Sequence, residues 1–179
     1  MKTLKFVEGN LLTNDIVEVI GHQANCQNTF GSGIARSIRE MYPEAYAADT
    51  EAAKNKTNTL GNFSYTDIST GAVFPRNKYG NKIYRIYNLY GQNLGTIHGK
   101  RMRMTNYEAL YSALEGMADQ LRATEEDNGM FDFNREPVVG FPFMMGSALG
   151  GGRWEIVQRL IEVAFDGYTG DVLIVKLNG

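Results

Sequence analysis

Cysteine occurs once in the 179 residues, histidine twice and proline four times. No apolar run is long enough to span a membrane. A single thiol, Cys26, excludes an internal disulfide and a cysteine-rich zinc site. His22 and His98 lie far apart in sequence, so no metal constellation is expected and no cofactor is implied. An excess of charge is missing too: the formal net charge is −2, with acidic and basic residues interspersed. That pattern gives no general polyanion surface and argues against a dedicated nucleic-acid binder, while leaving room for a site that takes one phosphorylated small molecule. The start of the chain has no signal-peptide pattern, so a soluble, cytoplasmic domain with no membrane partner is the expectation. Length and a 43% hydrophobic composition fit a single domain over 1–179 with a sizeable core, expected as a monomer.

Glycine is present in quantity, and its placement organises the chain. An apolar run, Ile16 to Ile20, reads as a buried strand reaching Gln23. It turns polar through His22, Asn25 and Asn28, passes Gly31-Ser32-Gly33, and continues as Ile34-Ala35-Arg36-Ser37-Ile38 with apolar residues at helical spacing. A strand that enters a helix through glycine is an anion site in waiting. The first helical N–H groups lack intrahelical partners, the helix dipole favours negative charge, and glycine lets a phosphate approach the main chain.

Around this stretch, strands and helices alternate. Thr3 to Glu8 alternates like a strand, and Leu11 to Asp15 reads as one short helical turn. Ile34, Ile38 and Met41 line a helix, and Pro43 suits the first turn of another over 44–54. Leu60 to Ile68, Gly71 to Pro75, Lys82 to Tyr90, Pro137 to Phe143 and Val172 to Leu177 read as strands, with a turn over 77–81. The segment 91–100 is expected to be irregular. The longest helix starts at Arg103, a floppy insertion covers 124–134, and Val157, Leu160, Ile161 and Ala164 line a last helix. Such alternation predicts a layered α/β fold whose ligands collect at the carboxyl ends of strands. Polar loops follow strands after Gln23, Tyr90 and Phe143, and they converge if those strands are neighbours.

Rival phosphate motifs fail on their residues. The segment 95–101 lacks Walker spacing, and Arg101 stands where Ser or Thr should hold magnesium. Arg36 occupies the third glycine position of a dinucleotide fingerprint. A cysteine phosphatase loop starting at Cys26 would need arginine where Ser32 stands, so Cys26 is read as packing. A second glycine loop, Gly146-Ser147-Ala148-Leu149-Gly150, could wrap a diphosphate from the side opposite Gly31 to Gly33.

Together these stretches resemble the macro domain, an ADP-ribose-binding fold, and most closely its ADP-ribose 1″-phosphate phosphatase branch. The resemblance rests on His22-x-x-Asn25 before Gly31-x-Gly33-Ile34-Ala35, and on Val7-Glu8-Gly9-Asn10-Leu11-Leu12. His98-Gly99-Lys100, and Gly146 to Gly150 followed by Trp154, extend it over nearly the whole chain. The resemblance implies an α/β fold built as a three-layer α/β/α sandwich with a mixed central sheet. It implies that Asn25 bonds the distal ribose and that Gly31, Ser32, Gly33 and Ile34 lie beside ribose and diphosphate. It also implies that Ser147, Ala148, Leu149 and Gly150, following Gly146, donate backbone N–H groups to the phosphates. Asn10, next to Leu11, would meet the adenine amine, and His98 is a possible loop contact. His22 becomes the candidate for catalysis with Asn25, because imidazole exchanges protons near neutral pH; a core histidine satisfied by a carbonyl is the competing role. The implied activity is removal of the terminal phosphate of ADP-ribose 1″-phosphate without a metal. A non-catalytic ADP-ribose-binding module, or a hydrolase of ADP-ribosyl or acyl-ADP-ribose adducts, are the alternatives. The lysine and aspartate used by the adduct-cleaving branch are replaced here by Gly91-Gln92 and Gly150-Gly151-Gly152.

Overall fold

The computed structural model describes residues 1–70, 76–94, 96–97, 100–101, 104–123 and 136–178. Strands β1 (Lys5–Glu8), β2 (Val19–Asn25), β3 (Phe63–Asp67), β4 (Arg85–Gln92), β7 (Val139–Pro142) and β8 (Val172–Lys176) form one sheet. Its order is β1-β8-β7-β2-β4-β3, and every pair is parallel except β3 with β4. Two short strands, β5 (Thr96–Ile97) and β6 (Lys100–Arg101), make a separate antiparallel ribbon. The expected irregular segment therefore carries some regular pairing. The predicted strand over 71–75 and the insertion over 124–134 lie outside the described residues.

Helices α1 (Gly33–Met41) and α2 (Pro43–Lys54) cover one face, and α3 (Tyr107–Ala123) and α4 (Trp154–Ala164) the other. The result is a mixed α/β/α sandwich: the layered α/β fold that alternation predicts, in the form that the family resemblance implies. Strand parity sorts the side chains. Ile20 and Ala24 of β2, with Ile86 and Tyr90 of β4, pack with Ile38, Tyr42, Ala45 and Ala52. Val19, Tyr87, Leu89 and Phe141 pack instead with Leu110, Leu114, Met117, Val157 and Ile161. Burying each such large aliphatic or aromatic side chain contributes about 1.5–3 kcal/mol, so both cores stabilise the central strands β2 and β4.

Element ends move from their predicted places where an asparagine captures backbone N–H groups. Asn14 Oδ1 accepts from Ile16 (2.7 Å) and Val17 (3.0 Å), which holds Ile16 in a turn and delays β2 to Val19. Asn81 Oδ1 accepts from Ile83 N at 3.1 Å, and β4 begins at Arg85. Asn106 Oδ1 accepts from Ala109 N at 3.0 Å, so α3 starts at Tyr107 rather than Arg103.

Between β2 and β4 the register slips: Ala24 pairs with Tyr90 but Asn25 pairs with Gln92. Gly91 is the extra residue of this bulge. Without it, Gln92 would share the face of Tyr90 and Asn88. With it, Gln92 turns to the face of Gln23, whose Nε2 donates to Gln92 Oε1 at 2.8 Å. A side chain on Gly91 has no room, since its Cβ would lie 2.6 Å from Gln23 Oε1 and 3.1 Å from Leu110 Cβ.

Candidate functional site

The neighbours β2 and β7 send their chains to opposite faces, to α1 on one side and α4 on the other. Their carboxyl ends thus form the switch point at which open α/β sheets bind ligands. A cleft of about 390 Å³ opens there, a volume within the range of small-molecule sites. Its first wall is Asn25, Thr29, Gly31, Ser32, Gly33, Ile34 and Ala35. Its second is Pro142 to Gly146 with Ala148, Leu149 and Gly150, and Gln23, Gln92, Leu94 and Met104 close the floor and one end. The two glycine loops do converge.

Each loop is held by identifiable contacts. Asn25 is buried and its amide donates to the carbonyl (2.9 Å) and the hydroxyl (2.8 Å) of Thr29, while its oxygen accepts from Gln27 N at 2.9 Å. Its carboxamide therefore shapes the loop that it also lines. Ser32 takes the N-cap position of α1 without a side-chain capping bond, and the first intrahelical bond is Arg36 N–H to the Ser32 carbonyl. The amides of Gly33, Ile34 and Ala35 precede it, at the positive end of the helix dipole. Gly33 has φ +57°, a conformation that explains glycine there.

The second loop is pinned from behind by Thr105. Its hydroxyl donates to the Gly146 carbonyl at 2.7 Å and accepts from Gln23 Nε2 at 2.9 Å. The Gly150 carbonyl takes the amides of Met104 (2.9 Å) and Thr105 (3.1 Å). A Cβ on Gly150 would meet Thr105 Oγ1 at 2.4 Å and the Gly146 carbonyl at 2.7 Å. Ser147 N and Ala148 N do not face the cleft as expected, because both donate to the Met144 carbonyl, at 2.9 and 3.3 Å, closing a turn. Ser147 itself is not part of the cleft lining.

His22 does not line the cleft. Gln23 and Asn25 point to the cleft side, and His22, an odd number of residues from both, points to the α1/α2 core. The ring is fully buried, edge-on to Phe30 with centroids 5.3 Å apart. Asn88 Nδ2 donates to the Ala45 carbonyl (2.9 Å) and Ser64 Oγ (3.0 Å), so Asn88 Oδ1 is the acceptor for His22 Nε2 at 2.8 Å. Burial pushes the His22 pKa below its ordinary value, with the Asn88 bond only partly opposing it. A neutral imidazole beneath the sheet takes no part in the cleft's lining.

Asn10 and Leu11 are also absent from it. Asn10 Oδ1 accepts from Leu12 N at 2.9 Å, capping the short helical turn Leu11–Thr13. Leu11 is buried against β7, its Cδ1 2.7 Å from where a Cβ on Gly140 would sit. His98 lies outside the described residues. Sequence reasoning missed Gln23, Thr29, Gln92 and Met104. Gln23 was recoverable, two residues from Asn25 on the same strand.

Chemically, the described lining is uncharged, with more apolar than polar surface. It offers amide and hydroxyl groups, helix-end N–H groups and the apolar surfaces of Leu94, Met144 and Leu149, all exposed. Among the described residues, no titratable side chain lines the cleft, and no group of three or more His, Cys, Asp or Glu gathers as a metal site.

A sandwich of this strand order, with a glycine-walled cleft at the β2/β7 switch point, defines a class of mixed α/β proteins. No family model matches the chain. Over 174 residues it is 24% identical to an ADP-ribose 1″-phosphate phosphatase of Saccharomyces cerevisiae, covering 90% of this chain and 93% of that protein. It superposes on the macrodomain of Mycobacterium tuberculosis DarG with a TM-score of 0.72 and 21% identity, covering 99% of each. Thermosipho africanus DarTG in complex with ADP-ribose matches with a TM-score of 0.69 and 17% identity, over 98% of this chain and 42% of that one. The chain has the macrodomain fold.

Proposed function

We propose that the cleft binds ADP-ribose and that the protein hydrolyses ADP-ribose 1″-phosphate to ADP-ribose and inorganic phosphate. The observation that carries the proposal is the pairing of two glycine loops across one cleft, with the amino end of α1 in one wall. The likeness to the yeast phosphatase supports the substrate. Helix-end amides complement the diphosphate, Gln92 offers a hydrogen bond to a ribose hydroxyl beside the loop that Asn25 shapes, and the glycines let both approach the main chain. In the reaction a water oxygen bonds phosphorus, the bond from phosphorus to the 1″ oxygen breaks, and that oxygen leaves with a proton as a ribose hydroxyl. Phosphoryl transfer asks the protein mainly for positioning and electrostatic stabilisation. Without an acid–base group in the described lining, the factor of about 10²–10⁴ that such a group supplies is forgone, and slow turnover is expected.

The uncharged character of that lining specifically favours a second reading, a non-catalytic ADP-ribose module. Incubation with ADP-ribose 1″-phosphate, beside an ADP-ribosylated protein, separates them when phosphate and ADP-ribose release are both followed. Phosphate release from the first substrate alone is expected. Tight ADP-ribose binding without phosphate release assigns the module. ADP-ribose release from the protein assigns an adduct hydrolase.

A further inference from the structure

Helix α2 buries a stripe of Ala45, Asp49 and Ala52. An acid in the middle of an otherwise apolar stripe breaks the pattern, and a buried carboxylate is costly unless its oxygens are bonded. Both are. Asp49 Oδ1 accepts from the Tyr90 hydroxyl at 2.7 Å, and Oδ2 accepts from Asn28 Nδ2 at 2.7 Å. Tyr90 continues inward through Ser64 Oγ (2.8 Å) to Asn88 and His22. Asn28 lies at the other end, in the loop between β2 and α1, where the chain leaves the core.

Asn28 has φ +55°, a left-handed conformation that asparagine adopts more readily than other residues with a Cβ and that side-chain bonds hold in place. The support comes from α2. Besides Asp49, the Asn28 amide reaches Thr50 Oγ1 at 3.2 Å, and the Tyr46 hydroxyl donates to the Asn28 carbonyl at 3.3 Å. The next residue, Thr29, lines the cleft and takes both bonds of the Asn25 amide. One side of Asn28 is thus anchored in the core, and the other side sets the wall that would meet ribose.

We propose that Asp49 is a positioning residue for the first ligand loop: it grips Asn28 in the left-handed conformation and so fixes Asn25, Thr29 and Gly31 to Gly33 against the cleft. The inference rests on that cleft being the ADP-ribose site, and its test has one arm without ligand.

Asp49→Ala turns the α2 stripe into three alanines and removes the grip while leaving the cleft lining intact. Hydrogen exchange without ligand should accelerate selectively over 25–33, with the strands unchanged. The Kd for ADP-ribose should rise by about tenfold, as for loss of pre-organisation. Asn28→Gly lets the backbone hold its conformation without the grip, so adding Asp49→Ala to it should leave Kd within about twofold of the Asn28→Gly value, the non-additivity expected of two side chains in direct contact. A purely stabilising Asp49 would multiply its effect on Kd in both backgrounds, and that result overturns the proposal, as does wild-type exchange over 25–33 in Asp49→Ala. If Asp49→Ala does not fold, Asn28→Ala carries the same test, and wild-type exchange and Kd there overturn the proposal equally. Selective loosening of 25–33 in a protein whose parent fails to bind ADP-ribose removes the ligand assignment and retains the loop's dependence on Asp49.

Discussion

His22 loses its proton chemistry through its surroundings: full burial, an Nε2 engaged by Asn88, and a ring whose charging has no water to assist it. The consequence is measurable as stability. The unfolded chain binds a proton at His22 near pH 6.5, whereas the folded chain resists it, so the unfolded state carries more protons below that pH. Unfolding free energy should therefore fall as pH drops from about 7 to 5, with this group contributing at most about 1.4 kcal/mol per pH unit. His22→Gln should flatten that slope in denaturant titrations at stepped pH, and an unchanged slope would locate the titration elsewhere. The same variant should keep the ADP-ribose Kd within about threefold, since the side chain at this position lies outside the cleft. Asn25→Ala, in contrast, should weaken binding by tenfold or more, roughly 1.4 kcal/mol, by freeing Thr29.

Loops between elements set the remaining contrasts. Gly31 has open space around a would-be Cβ and no positive φ, while Gly33 is held at φ +57°. Gly31→Val should thus leave Tm within about 2 °C yet weaken ADP-ribose binding by about tenfold, because its side chain projects at the wall of the cleft. Gly33→Val should lower both stability and affinity, through backbone strain of about 1–3 kcal/mol. Thermal melts with and without ligand distinguish the two, and equal losses of Tm would remove the distinction. Most elements were legible in the sequence because hydrophobic period alone decides them: 3.6 for the stripe of α4, and a continuous apolar run for β8. Both glycine loops were legible for the same reason, as polar breaks after such runs. What escaped depended on long-range partners. His22 was expected to share a pocket with Asn25, but a three-residue offset reverses the face of a strand. Gln92 could not be placed without knowing that Gly91 bulges, and Asn10 without knowing that its oxygen caps a turn. Asn14, Asn81 and Asn106 shifted element ends by bonds that composition does not reveal.

Two cores on opposite faces of one sheet share its central strands, and β2 contributes to both, so a ligand gripping the carboxyl end of β2 should stabilise the protein as a unit. ADP-ribose at a hundredfold excess over its Kd should add about 2.7 kcal/mol to the unfolding free energy, and AMP should add much less at the same concentration because it lacks the distal ribose. Calorimetry on a folded sample with no ADP-ribose effect would sink the ligand assignment. No helix among the described residues is long and apolar enough to cross a membrane. The described cleft lining, for its part, contains nothing that titrates. A wall of amides, hydroxyls and thioethers presents the same face to solvent at pH 6 as at pH 8. The described lining takes up no proton on binding in this interval, whereas a monoester phosphate, whose second ionisation falls near pH 6, would exchange protons with buffer where a diphosphate would stay silent.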